Sequence, residues 1–162
     1  MTRPRHIASC SGGKDSVATI LLAAQNNEPL DEIVFAEVMF DPNTTGEVPE
    51  HRDFIYDKLK PFCEKELGVK FTILHGGKTY DDIFHHIIVR GPHQGEKRGF
   101  AWAGMCAVKR ECKTNPMTRY NKTLSPDTVS YVGIATDEPK RLARLEGTGK
   151  VSLLAKYGLT EA

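Results

Sequence analysis

Ile7-Ala8-Ser9-Cys10-Ser11-Gly12-Gly13-Lys14-Asp15-Ser16-Val17-Ala18 is an apolar run that breaks into a Ser/Gly loop and resumes with helical periodicity. It predicts a strand, a loop and a helix in succession. Gly12 and Gly13 lack a Cβ, so their main-chain N–H groups can approach an anion closely. The hydroxyls of Ser11 and Ser16 add donors, and the start of the helix adds partial positive charge. That is chemistry for a phosphate. The spacing is neither that of a Walker loop nor the GxGxxG of dinucleotide folds.

Working outward, Asp15 to Asn27 carries Val17, Ile20, Leu21 and Leu22 among alanines, a helix with one face for a sheet. Asp31 to Phe40 is nearly continuous and β-branched, as in a parallel strand covered on both faces, with Glu37 the polar exception. Asp41 to Glu50 is turn-rich and follows the carboxyl end of that strand, where open α/β sheets place their ligands. A helix over Glu50 to Leu67, a strand over Val69 to Leu74, and a helix capped by Thr79 and running through Ile87 and Ile88 continue the alternation. This order predicts a parallel sheet.

Gly91 to Gly104 has no periodicity and is rich in Gly, Lys and Arg, with Trp102 near its end; it reads as a lid or substrate clamp, or as a plain surface loop. Cys106 to Cys112 reads as a short basic helix, with a second helical piece after Asn115-Pro116. Val129 to Ala135 is the next strand, followed by a helix capped by Thr136 with Pro139 in its first turn. Val151 to Ala155 reads as a strand or one helical turn. Thr160 reads as the cap of a further helix, so the chain is expected to be the first part of a longer protein, a short frayed tail being the alternative.

The length of 162 residues suits one α/β domain over 1–162. A formal net charge of +1 gives no global field for nucleic acid or membrane. From Arg90 to Lys122, however, eight basic residues face two acidic ones, a local excess of +6. With Phe100, Trp102 and Tyr120 among them, that segment makes tRNA or DNA a candidate partner. No apolar run reaches the roughly eighteen residues of a membrane span, and a cytoplasmic location is expected. Cys10, Cys63, Cys106 and Cys112 suit free thiols or metal ligands better than a disulfide framework.

Ser-Gly-Gly-Lys-Asp-Ser over 11–16 resembles the SGGxDS pyrophosphate loop of the adenine nucleotide alpha hydrolase, or ATP pyrophosphatase (PP-loop), superfamily. Asp41, Thr45-Gly46 and Pro49-Glu50 resemble a pattern of its PAPS (phosphoadenosine phosphosulfate) reductase-like branch, with extra residues between the Asp and the Thr. Gly133-Ile134 with Asp137-Glu138 and Arg141 is similar in order and spacing to that branch's Gly-Ile strand, acidic pair and arginine-bearing helix. Trp102, Cys106 and Lys113-Thr114-Asn115-Pro116 resemble its Trp-then-Cys and Lys-x-x-Pro signature, with two extra residues before the Lys.

The resemblance implies a Rossmann-like three-layer α/β sandwich with a mostly parallel five-stranded sheet. It implies ATP, PAPS or another adenylyl sulfate as substrate, Mg²⁺, and cleavage between the α and β phosphates. Ser9, Ser11, Gly12, Gly13, Lys14, Asp15, Ser16, Asp41, Gly133, Asp137 and Glu138 are then the nucleotide-binding candidates. Lys14, Asp15, Lys109, Arg110 and Arg141 are the catalytic ones. Asp15 suits either Mg²⁺ or a helix cap. Cys106 and Cys112 are candidate ligands for an iron–sulfur cluster or zinc, or two free thiols. Relatives that reduce PAPS carry a Glu-Cys-Gly motif near the C-terminus that this sequence lacks, so reduction by this chain alone is not expected. A module that holds nucleotide without turnover, a tRNA or DNA modification subunit of the phosphorothioation type, and a homodimer complete the expectations.

Overall fold

The computed structural model describes residues 3–99 and 106–161. In chain order the elements are β1 (His6–Cys10), α1 (Lys14–Gln25), β2 (Glu32–Glu37), α2 (Pro49–Asp53), α3 (Lys60–Lys65), β3 (Lys70–His75) and α4 (Tyr80–Phe84). These are followed by α5 (Asn115–Asn121), β4 (Val129–Tyr131), α6 (Pro139–Leu142), β5 (Lys150–Val151) and α7 (Leu153–Lys156). The five strands form one all-parallel sheet in the order β3-β2-β1-β4-β5. Ala8 of β1 pairs with Ile33 on one side and with Tyr131 on the other. The chain builds outward from β1 through β2 to β3, then returns to the other side of β1 for β4 and β5. The sheet therefore has its topological switch point between β1 and β4.

The chain divides into two compact units: Met1–Phe35, Asp53–Thr72 and Leu124–Ala162 in the first, Ala36–Arg52 and Ile73–Thr123 in the second. The core of the first is aliphatic. Ile7, Ile20, Ile33 and Ile55 are each 0% exposed, and burial of each contributes about 1.5–3 kcal/mol. Glu32 is also 0% exposed and pairs with Arg5 and, at 3.3 Å, with Lys70. Glu37 is therefore not the one polar exception in that strand; Glu32 is a second. The second unit has a smaller core of Val38, Ile83, Ala107 and Cys112.

Two long helical runs contain π-helical stretches, at Phe54–Leu59 and Lys109–Thr114. Each leads into an α-helix with proline at its second position, Pro61 in α3 and Pro116 in α5. Proline has no N–H and its ring crowds the carbonyl four residues back, so the preceding turn widens to i→i+5 bonding. Lys60 N–H accordingly donates to Ile55 O and Asn115 N–H to Arg110 O. The two helical pieces expected on either side of Asn115-Pro116 are thus one continuous run.

Four further expectations differ from the structure. The helix capped by Thr79 ends at Phe84 rather than continuing through Ile88. Ile87 instead pairs antiparallel with Lys97, and Ile88 N–H donates to Glu96 O at 2.9 Å, so residues 86–98 form a small hairpin in place of an unpatterned loop. Ile87 is 46% and Val89 67% exposed, so a helical continuation would have had little apolar burial to gain. Thr136 does not cap α6, whose N-cap is Glu138; its hydroxyl donates to Leu154 O at 3.4 Å. No helix starts at Thr160 within the described residues, where 159–161 run irregularly. Among the described residues, no helix is long and apolar enough to cross a membrane. Phe100 and Trp102 lie outside the described residues.

Candidate functional site

In the first unit, β1 ends at Cys10 and α1 begins at Lys14, leaving Ser11-Gly12-Gly13 as the turn between them. Gly12 has φ +78°, a left-handed conformation that a Cβ would strain. Gly13 is the N-cap of α1 and has no side chain with which to cap it. The N–H groups of the first turn are thus left for an external acceptor. Ser16, only 6% exposed, ties the turn together. Its Oγ donates to Gly13 O at 2.9 Å and accepts from Ser11 N at 3.2 Å, with Ser11 Oγ 3.3 Å away. Ser16 therefore shapes the loop from beneath. Burial pushes the Cys10 thiol up, which keeps it protonated. Asp15 sits in the first turn of α1 and is not its cap.

Gly133 follows β4, across the switch point from this loop. A Cβ placed on it would stand 2.8 Å from Asp15 C and 2.9 Å from Ser16 N. Backbone meets backbone here, which only glycine permits. The two segments singled out in the sequence, about 120 residues apart, are thus in contact at the carboxyl ends of adjacent parallel strands.

The remaining first-unit candidates form a polar margin. Lys14 Nζ donates to Glu161 O at 2.7 Å, and Glu161 N donates to Asp137 Oδ1 at 3.2 Å. Thr136 N donates to Leu159 O at 2.8 Å, so residues 159–161 are laced to the segment after β4. Glu138 accepts from Ala135 N and pairs with Arg141, whose side chain is half exposed. Ser9 lies within β1, paired with Val34.

Mg²⁺ takes hard oxygen ligands and commonly uses one or two carboxylates together with phosphate oxygens. Asp15, in the first turn of α1, offers a carboxylate of that kind, while the Asp137 carboxylate already accepts from Glu161 N. No group of three metal-ligating side chains occurs among the described residues. Cys106 and Cys112 belong to the second unit. Cys112 is 0% exposed with its thiol donating to Lys78 O at 3.2 Å, and Cys106 Sγ accepts from Lys109 N at 3.4 Å. Two thiols fall short of the four ligands of a tetrahedral site.

Asp41, Lys109 and Arg110 are also in the second unit. The Asp41 carboxylate accepts from Asn43 N at 2.8 Å and Thr44 N at 2.7 Å, which holds it below its ordinary pKa; its visible work is to fold its own turn. Arg110 pairs with Glu111 at 2.9 Å and lines a cavity with Lys78 and Arg98. Sequence reasoning passed over a cluster at the end of β2. Glu37, 3% exposed, accepts from Thr45 Oγ1 at 2.8 Å and meets His75 Nε2 at 2.8 Å. A carboxylate at the end of the apolar run Ile33 to Ala36 was the available signal. Comparison of the chain with protein-family models, curated proteins and solved structures finds no match.

Proposed function

We propose that the chain is an enzyme of the PP-loop, PAPS reductase-like kind. It holds ATP or an adenylyl sulfate at the Ser11–Ser16 loop, where water or an acceptor nucleophile attacks the α-phosphorus, forming the new P–O or P–X bond as the bond to the departing pyrophosphate or sulfate breaks. The observation that supports this best is the meeting of Gly133 with Asp15 and Ser16 beside the β1/β4 switch point. Ligands of open parallel sheets lie outside the carboxyl ends of the strands at such a point.

The uncapped N–H groups at the start of α1 bind the phosphate oxygens, and the helix dipole favours their charge. Gly12 lets the phosphate come close to the main chain. Lys14 at the start of α1 and Arg141 in α6 are the cations that would offset charge developing on the leaving group, once freed from Glu161 and Glu138. Asp15 is the residue that would hold Mg²⁺ together with phosphate oxygens, and the ion would supply further charge neutralisation there. Release of pyrophosphate from ATP by the purified protein tests the reading. Turnover that is lost in Gly12→Val supports it. Binding without release would make the chain a nucleotide-holding module, and no binding would end the proposal.

A further inference from the structure

The second unit carries two cavities on either side of α4. Tyr80, Asp81, Phe84 and His85 line one, and Asp82, Ile83 and His86 line the other. At 3.6 residues per turn these sets fall on opposite flanks of the helix. The first cavity, about 510 Å³, is aromatic. Phe40 stacks on Tyr80 with centroids 5.7 Å apart and planes 18° apart, and Tyr80 on Phe84 at 6.3 Å and 20°. Phe40 is 44% exposed, so this row reaches the surface rather than filling a core. Asp81 places a carboxylate at its margin, where it meets His85 at 3.1 Å.

The second cavity, about 360 Å³, is cationic: Lys78, Arg98 and Arg110 face Asp82 as its one carboxylate. Asp82 is already engaged, accepting from Thr79 N and Thr79 Oγ1, both at 2.9 Å. Arg110 gives its Nε to Glu111 and keeps its other guanidinium donors. Among the described residues, the side chains of Lys78 and Arg98 take part in no ion pair. Gly77 lines the same cavity with open space where a Cβ would stand, so the main chain is approachable.

We propose that the second unit binds a single strand of nucleic acid, with a base against the Phe40–Tyr80–Phe84 row and backbone phosphate in the Lys78–Arg98–Arg110 cavity. Stacking faces beside a cationic groove are the means by which single strands are held. A base paired in a duplex could not reach the aromatic row. A strand accounts for the site better than a free nucleotide for two reasons. The cavities are separated by a helix about 10–12 Å across, which suits successive parts of a chain. The three cations Lys78, Arg98 and Arg110 at one cavity also exceed what one phosphate requires. The inference stands on the second unit alone and does not rest on the nucleotide reading of the β1–α1 loop.

The test is fluorescence anisotropy of the full chain with a labelled single-stranded oligonucleotide, an abasic oligonucleotide of equal length, a duplex, and AMP as competitor, over a salt series. The single strand is expected to bind tightest. Phe40→Ala should weaken it by roughly 5- to 150-fold while leaving the abasic strand unchanged. Arg98→Gln should weaken both strands and lower the salt slope by about 0.7. Circular dichroism melts confirm that each variant folds, and both side chains are exposed enough to permit it. Equal affinity for the abasic strand, tighter binding of the duplex, or displacement by AMP at the same concentration of nucleotide units would overturn the proposal, as would no binding at low salt. An ATP thermal shift on the same preparation keeps the two readings apart, since either can fail without the other.

Discussion

Replacing Gly133 with alanine should damage the proposed nucleotide site from behind, without removing any group that touches a ligand. The new Cβ would stand 2.8 Å from Asp15 C, whereas ordinary contacts begin near 3.4 Å, so the first turn of α1 must retreat by roughly 0.6 Å. Both near atoms are backbone, which cannot rotate away. Overpacking of this kind costs about 1–3 kcal/mol. For a chain of 162 residues that lowers the melting temperature by about 2–12 °C. The displaced turn carries the N–H groups proposed to bind phosphate, so ligand stabilisation should fall as well. ATP at a hundred times its dissociation constant stabilises by about 2.7 kcal/mol, and in Gly133→Ala that gain should shrink towards zero. Differential scanning fluorimetry with and without Mg·ATP reads both effects. Gly13→Ala is the steric control, because its Cβ would meet only Ser11 Oγ at an ordinary 3.5 Å. A lost N-cap preference and a stiffer unfolded chain oppose each other there, leaving stability within about 1 kcal/mol of the parent. If Gly133→Ala melts with the parent protein and keeps the full ATP shift, the argument from close packing is wrong.

Other expectations concern the rest of the molecule. Cys63, pushed up to about 12 by burial, should be inert to a thiol reagent at neutral pH along with buried Cys10 and Cys112, leaving Cys106 as the single fast-reacting thiol of four in the native protein; two or more fast equivalents would contradict this. The Asp31 carboxylate is held below its ordinary pKa by the Arg3 guanidinium, with help from His6 N–H. A lowered folded pKa gives stability that is present above the ordinary carboxylate value near 4 and lost as pH falls through the folded value. Asp31→Asn should therefore flatten the acid side of the melting-temperature profile and leave its shape near pH 7 unaltered. Thr79→Ala removes the hydroxyl that accepts from Asp82 N at 3.2 Å and should cost about 1 kcal/mol, read by urea denaturation.

Much of this architecture was legible because local and global signals agree. The run from Ile7 to Ala18 has the period of a strand, then glycines, then the period of a helix, and it folds that way. The buried β2 was readable from its continuous β-branched content. The strand order was not, since nothing local tells β4 to pair with β1 rather than with β3; the two motif segments meet because of that choice. Pro116 reads locally as a helix stop, yet the helix absorbs it through a π stretch. Ile87 and Ile88 have helical spacing to Ile83 and Phe84, but the hairpin with residues 95–98 satisfies their backbone instead. Thr136 has the chemistry of a cap and is claimed by Leu154 O, a partner eighteen residues away that the sequence could not reveal. Glu37 was visible as an oddity, while its partners, Thr45 from the loop after β2 and His75 from the end of β3, are brought to it only by folding.

The central claim, an adenine nucleotide held at the β1–α1 loop, is most directly tested by titrating Mg·ATP into the ¹⁵N-labelled chain and following backbone amides by NMR. An 18.0 kDa protein is suited to this. The account predicts that the largest, saturable changes fall on the amides of Gly12 to Ser16, with Gly133 moving in step. Saturable changes confined to other segments, or no change at the loop, would contradict it.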